Sequence, residues 1–128
     1  MVAVFAVLTI TAFGQEDALQ GTWFNEFYLV EQIFYNGNYE IAIYGVPNFR
    51  GEYTVKGNEI TRRHTHFNPS APGDEFCNRW YTEEEAVAEF GNKVDSWFEP
   101  FTQTFSINGN ILILVDRFGD QQQFTRIP

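Results

Sequence analysis

Three times the chain sets a Gly-Asn pair between arms that alternate apolar and polar residues. The segments are Phe34-Tyr35-Asn36-Gly37-Asn38-Tyr39, Thr54-Val55-Lys56-Gly57-Asn58-Glu59 and Ser106-Ile107-Asn108-Gly109-Asn110-Ile111. Glycine and asparagine both tolerate the positive φ that a tight turn demands, so each segment is expected to be a β-hairpin. Arg117-Phe118-Gly119-Asp120 reads as a fourth turn. Between these turns, strands are expected near 21–30, 32–36, 39–45, 50–56, 59–67, 97–107, 110–117 and 121–127. Eight strands joined mostly by tight turns form an antiparallel meander, and closing that sheet on itself removes its edges. The expected fold is therefore all-β: an eight-stranded antiparallel up-and-down barrel in a single domain. Aromatic residues make up 18% of the chain, which supplies the bulk such a core needs and favours strand over helix.

The first strand opens on Gly21-Thr22-Trp23. Gly21 permits close approach of a neighbouring strand, and Trp23 can fill a barrel floor with one side chain. If first and last strands meet, Arg126 is placed to lie against that indole. One long interruption, from Asn68 to Asp95, separates strands five and six. Within it Thr82-Glu83-Glu84-Glu85 is a capping box, Ala86, Val87 and Phe90 follow at helical spacing, and Gly91-Asn92 can end the element. The spacing predicts one short helix over 82–90, packed on the barrel by Val87 and Phe90.

Val2 to Phe13 is an apolar run too short to cross a bilayer as a helix, and Ala12-Phe13-Gly14 offers small residues for cleavage before Gln15. Residues 1–14 are read as a secretory signal. The domain then covers residues 15–128, exported to the periplasm or the extracellular space, with no membrane-spanning segment. No Lys or Arg precedes the run, which implies either an atypical signal or a start farther upstream; the alternative is a buried strand over residues 2–11. Cys77 is the single cysteine, so no internal disulfide can form, and burial as a small hydrophobe is expected. The formal net charge of −9, with no basic residue before Arg50, disfavours nucleic acid and anionic lipid as partners.

Alternation from each turn assigns the faces. Around Gly57-Asn58, Tyr53 and Val55 share a face with Ile60, Arg62, His64 and His66, opposite a plainly wet face of Glu52, Thr54, Lys56, Thr61 and Arg63. Phe34, Tyr39, Ile41 and Ile43 share another inner face, as do Gln103, Phe105, Ile107, Leu112, Leu114 and Asp116. On the first strand Trp23, Asn25, Phe27 and Leu29 go together. A dry Arg62 would be very costly, which leaves two readings: an open rim reached by water, or a cavity in which Arg62, His64 and His66 meet the polar head of a ligand. His64-Thr65-His66 is also His-x-His on a strand, which directs two imidazoles to one face as a zinc or haem site would need. A third metal ligand would have to come from a distant residue such as Asp116 or Cys77. No nucleophile motif or phosphate loop is present, so neither catalysis nor a cofactor is expected.

With Gly21-Thr22-Trp23, the central Gly51-Glu52-Tyr53-Thr54-Val55-Lys56-Gly57-Asn58 and the final Phe124-Thr125-Arg126, the chain resembles the bacterial secreted lipocalin-like domains over residues 19–128. The resemblance implies an eight-stranded barrel that binds small apolar molecules in the cell envelope, with Trp23 at its floor and Arg126 across it. The chain lacks the Thr-Asp-Tyr turn motif of the lipocalins proper, and its helix candidate falls between strands five and six instead of after the last strand. The expected function is a non-enzymatic, monomeric binding protein for a small hydrophobic or amphipathic molecule. Phe34, Tyr39, Tyr53 and Phe105 would hold its body, and Arg62, His64 and Tyr53 its head. The alternative is a filled barrel that contacts another envelope protein through Ile111, Ile113 and Val115. A metal- or haem-binding barrel using His64 and His66 is third.

Overall fold

The computed structural model describes residues 17–70 and 79–128. The apolar segment read as a signal (or as a strand over 2–11) and Cys77 lie outside the described residues. The strands are β1 (Gly21–Asn25), β2 (Val30–Tyr35), β3 (Asn38–Ile43), β4 (Val46–Lys56), β5 (Glu59–Phe67), the two-residue β6 (Tyr81–Thr82), β7 (Phe101–Asn108), β8 (Ile111–Val115) and β9 (Gln121–Ile127). Helix α1 (Glu83–Phe90) and a 3₁₀ helix (Asn92–Phe98) fall between β6 and β7. Apart from β6, each strand pairs antiparallel with the next, β5 passes to β7, and β9 returns to β1. The result is a closed eight-stranded barrel, to which β6 adds a short ladder on the last two residues of β5.

The Gly-Asn segments form the turns read from the sequence. Their registers pair Phe34 with Tyr39, Val55 with Ile60 and Ile107 with Leu112. These three turns gather at one end of the barrel, which the N-terminal segment seals. Trp23 is fully buried there and its indole donates to the Leu19 carbonyl at 2.8 Å. Arg126, the cross-strand partner of Trp23, lies over the indole at 4.2 Å and donates to the carbonyls of Gln20 and Ala18. Gly21 adopts φ +118, and a Cβ there would sit 2.9 Å from the Arg126 guanidinium. Above this floor, Leu19, Phe34, Tyr39, Tyr53, Ile60, Phe105, Leu112, Leu114 and Phe124 pack into one core.

The opposite end is built differently. Strand β1 stops at Asn25 instead of running to Val30, because the Asn25 carboxamide oxygen accepts from the Tyr28 N–H at 2.8 Å and Leu29 turns to φ 53. Phe27, expected to face inward, is therefore 83% exposed, and Leu29 is exposed too. Likewise β7 starts at Phe101, since the chain before it winds as the 3₁₀ helix and Pro100 has no N–H to give a ladder. Helix α1 has its capping box: Thr82 Oγ1 accepts from the Glu85 N–H at 3.3 Å and the Thr82 N–H donates to Glu85 Oε1 at 3.1 Å. Its one buried residue, Ala86, packs with Val94 and Phe98 of the 3₁₀ helix, and Phe67, Tyr81 and the half-buried Val87 lie against them. Phe90 is exposed on one side while its ring edge meets Phe67 and Tyr81. Among the described residues no helix is long and apolar enough to cross a membrane.

Candidate functional site

Strand β5 leaves its turn with Ile60 and then Arg62 pointing inward. Arg62 is 2% exposed, opposite Tyr53 on one side and Phe101 on the other. Its guanidinium lies over Tyr39 at 4.1 Å, with Phe34 and Phe101 farther off at 5.1 and 5.7 Å. Nη1 donates a long hydrogen bond, 3.3 Å, to Gln103 Oε1, while Nε and Nη2 have no acceptor among the described residues. The described ion pairs, Arg50–Glu40, Arg63–Glu52 and Arg79–Glu85, all lie at the surface and do not include Arg62. Burial pulls the guanidinium pKa from 12.5 down to about 10, offset in part by the nearby Tyr39 phenol, so the group stays cationic at neutral pH.

His64 is the next inward residue. Its Nδ1 shares a 2.6 Å hydrogen bond with the Tyr39 hydroxyl, and its ring stacks on Phe49 at 4.4 Å. Burial and, secondarily, the Arg62 charge press its pKa from 6.5 to about 4, so the imidazole is neutral. Burial raises the Tyr39 phenol to about 12, so it keeps its proton. Among the described residues the interior thus carries a single positive charge, flanked by a neutral imidazole and a neutral phenol.

Beyond His64 the alternation breaks. Gly51 pairs with His64 and Arg50 with His66, which leaves Thr65 as an extra residue in β5. The bulge turns His66 to the outer face beside Arg50, where its Nδ1 meets Thr65 Oγ1 at 2.9 Å, and brings Phe67 inward against Phe49. The expectation that Arg62, His64 and His66 share one face is corrected accordingly: the two imidazoles of the His-x-His do not converge. Among the described residues no group of three His, Cys, Asp or Glu side chains is placed to hold a metal ion.

At this end a half-open cavity of about 680 Å³ lies between the ends of β4 and β5, the 3₁₀ helix, the start of β7 and the β8–β9 turn. Phe49, Phe67, Trp97, Phe101 and Phe118 give it apolar walls, while His64, Gln103, Asp116 and Arg117 supply polar groups. Asp116 is committed to its own turn, its carboxylate accepting from the N–H groups of Phe118 and Asp120. Arg62 does not itself line the cavity. It sits directly behind His64, Phe101 and Gln103, which do. Phe27, Tyr28, Tyr44, Trp97 and Phe118 are exposed on the turns and the 3₁₀ helix at this same end.

Of the six residues expected to hold a ligand, His64 alone lines the cavity. Phe34, Tyr39, Tyr53 and Phe105 fill the core instead, Phe34 meeting Tyr53 edge-on at 5.4 Å. The Tyr53 hydroxyl turns to the sealed end and accepts from Gln20 Nε2 at 2.6 Å. Arg62, His64 and Tyr39 do come together. The cavity walls Phe49, Phe67, Phe101 and Trp97 were not anticipated, although Gln103 had been placed on an inner face by alternation. Ile111, Ile113 and Val115, the outer face of β8, are half-buried. Comparisons with protein-family models, with curated proteins and with solved structures found no match to the chain.

Proposed function

We propose that the protein is an exported, non-catalytic binding protein that takes a small hydrophobic or amphipathic molecule into the cavity at the open end of its barrel. The observation that carries this reading is the aromatic-walled cavity with a buried, incompletely bonded arginine directly behind its wall. Its volume suits one small ligand, and apolar walls with few polar groups are what such sites use. The exposed aromatic residues around the mouth extend the apolar surface to the solvent boundary, where an apolar molecule would first be met. The apolar segment before Gln15, with its small residues for cleavage, supports the export part of this reading.

The test is fluorescence titration of the purified protein with a neutral apolar probe, N-phenylnaphthylamine, with solvent extraction and mass spectrometry of the same preparation. Saturable binding of one probe molecule per chain is expected. Absence of saturable binding together with an empty extract would overturn the reading. Amino-terminal sequencing of the protein collected outside the cytoplasm should begin at Gln15, and an intact apolar segment there would remove the export proposal.

A further inference from the structure

The electrostatics of the barrel interior do not close at Arg62. A guanidinium this deeply buried ordinarily spends its five N–H donors on acceptors, preferably a carboxylate. Here the Nη1 bond goes to a neutral amide at 3.3 Å, and Nε and Nη2 have no acceptor among the described residues. Nη1 and Nη2 together form an edge that presents two parallel N–H groups, the arrangement that matches the two oxygens of a carboxylate, and Gln103 accepts from only one of the two. The single weak partner, Gln103, is itself part of the cavity wall.

We propose that Gln103 keeps the place of a ligand carboxylate, and that the cavity binds monoanionic amphiphiles, carboxylic acids with an apolar chain, through Arg62. This rests on the binding-protein reading above and specifies its ligand. The incoming carboxylate displaces the Gln103 amide, accepts from Nη1 and Nη2 with its two oxygens, and leaves its chain along Phe49, Phe67 and Phe101. One charge on the ligand matches the Arg62 charge. Glu99 and Asp116 at the cavity wall disfavour a dianion such as a phosphate monoester. An alcohol or ester of the same chain fills the walls equally well but leaves the guanidinium charge unmatched.

Competition against bound N-phenylnaphthylamine near neutral pH tests this, with decanoate, decanol and methyl decanoate as competitors. Charge-assisted hydrogen bonds in a desolvated site predict that decanoate displaces the probe at about 10- to 100-fold lower concentration than decanol or the ester. Arg62→Met and Gln103→Glu should each bring acid and alcohol to within about threefold, the first by removing the cation and the second by supplying a built-in carboxylate. The ratio of acid to alcohol in each protein is the readout, so a general change in affinity does not affect it. Equal displacement by acid and alcohol in the unmodified protein would mean that water serves the guanidinium and would overturn the inference while leaving the cavity reading intact. An acid preference that survives Gln103→Glu would overturn it as well, even if the Arg62 variant did not fold. Failure of the probe and of all three competitors to bind would count against the binding-protein reading itself.

Discussion

Replacing Arg62 by methionine should make the empty protein more stable, an unusual expectation for a fully buried residue in a barrel interior. The guanidinium pKa falls from 12.5 to about 10, with burial as the leading cause. At about 1.4 kcal/mol for each pKa step, the charge is held at a net cost of about 3 kcal/mol. Methionine is unbranched, similar in reach and without polar atoms, so it can follow the same channel between Tyr39 and Phe101. Against the gain stands the loss of the cation over the Tyr39 ring, about 1–2 kcal/mol in a desolvated setting. Gln103 loses only a long bond and is left at the cavity wall, where water can reach it. The balance is a stabilisation of about 1–2 kcal/mol.

Urea unfolding followed by tryptophan fluorescence measures this directly, with the midpoint expected to rise at an unchanged slope. A thermal midpoint higher by roughly 2–8 °C should accompany it. The sign is what tests the reasoning. Removing one partner of a well-satisfied buried charge typically destabilises by about 3–5 kcal/mol, because the other partner is stranded. A loss of that size in Arg62→Met would mean that the guanidinium is fully partnered in solution, and the account of it as an unmatched charge would be refuted.

Three further outcomes follow from the same geometry. His64 titrates at about 4 in the folded chain against 6.5 unfolded, so only the unfolded chain takes up the proton between these values. Stability should therefore fall as pH drops from 6.5 to about 4, by about 2–3 kcal/mol allowing for water at the cavity mouth, and His64→Gln should remove that slope in thermal melts. Gly51→Ala should cost about 3 kcal/mol in urea unfolding, because its Cβ would fall inside contact distance of the Arg63 carbonyl and the Tyr39 hydroxyl; a loss below about 0.5 kcal/mol would contradict that packing. Thr82→Ala removes the hydroxyl that accepts from the Glu85 N–H and should cost about 1 kcal/mol, seen as faster amide exchange in α1 with the barrel strands unchanged.

Much of the barrel was legible because its determinants are local. A Gly-Asn turn fixes both the reversal of the chain and the register beside it, so the pairings Val55–Ile60 and Ile107–Leu112 follow once the turn is recognised. The capping box of α1 is equally local, closed between Thr82 and Glu85. The errors occur where a side chain reaches across the fold. Asn25 ends β1 by binding the Tyr28 N–H while its amide donates to the Gln123 carbonyl on β9. Nothing in Phe27-Tyr28-Leu29-Val30 reveals this, since the same residues would suit a strand. Asn48 is similar: it is the extra residue between the Ile41–Phe49 and Ala42–Pro47 pairs, and its amide anchors the chain after β5 through the carbonyls of Asn68 and Ser70.

The candidate site was legible only as far as alternation carries, and the limit has a physical origin. Register propagates from a turn until the first bulge, and in β5 that bulge is Thr65, eight residues beyond Gly57. Arg62 and His64 precede it and face inward; His66 and Phe67 follow it and exchange sides. The bulge is matched on β4 by Gly51, whose missing Cβ leaves the space in which the Tyr39 hydroxyl reaches His64. Any larger residue at 51 would close that space, so the neutral Tyr39–His64 pair beside Arg62 depends on a backbone irregularity and a glycine together. The same irregularity brings Phe67 and Phe49 to the cavity wall. The aromatic residues that sequence placed around a ligand fill the sealed half instead, and the open half is walled by residues at strand ends and in the 3₁₀ helix. Tight turns close the sealed end, whereas at the other end Trp97 and Pro100, from the connection that precedes β7, stand in the cavity wall. The cavity accordingly lies beyond Arg62, on the side away from Trp23.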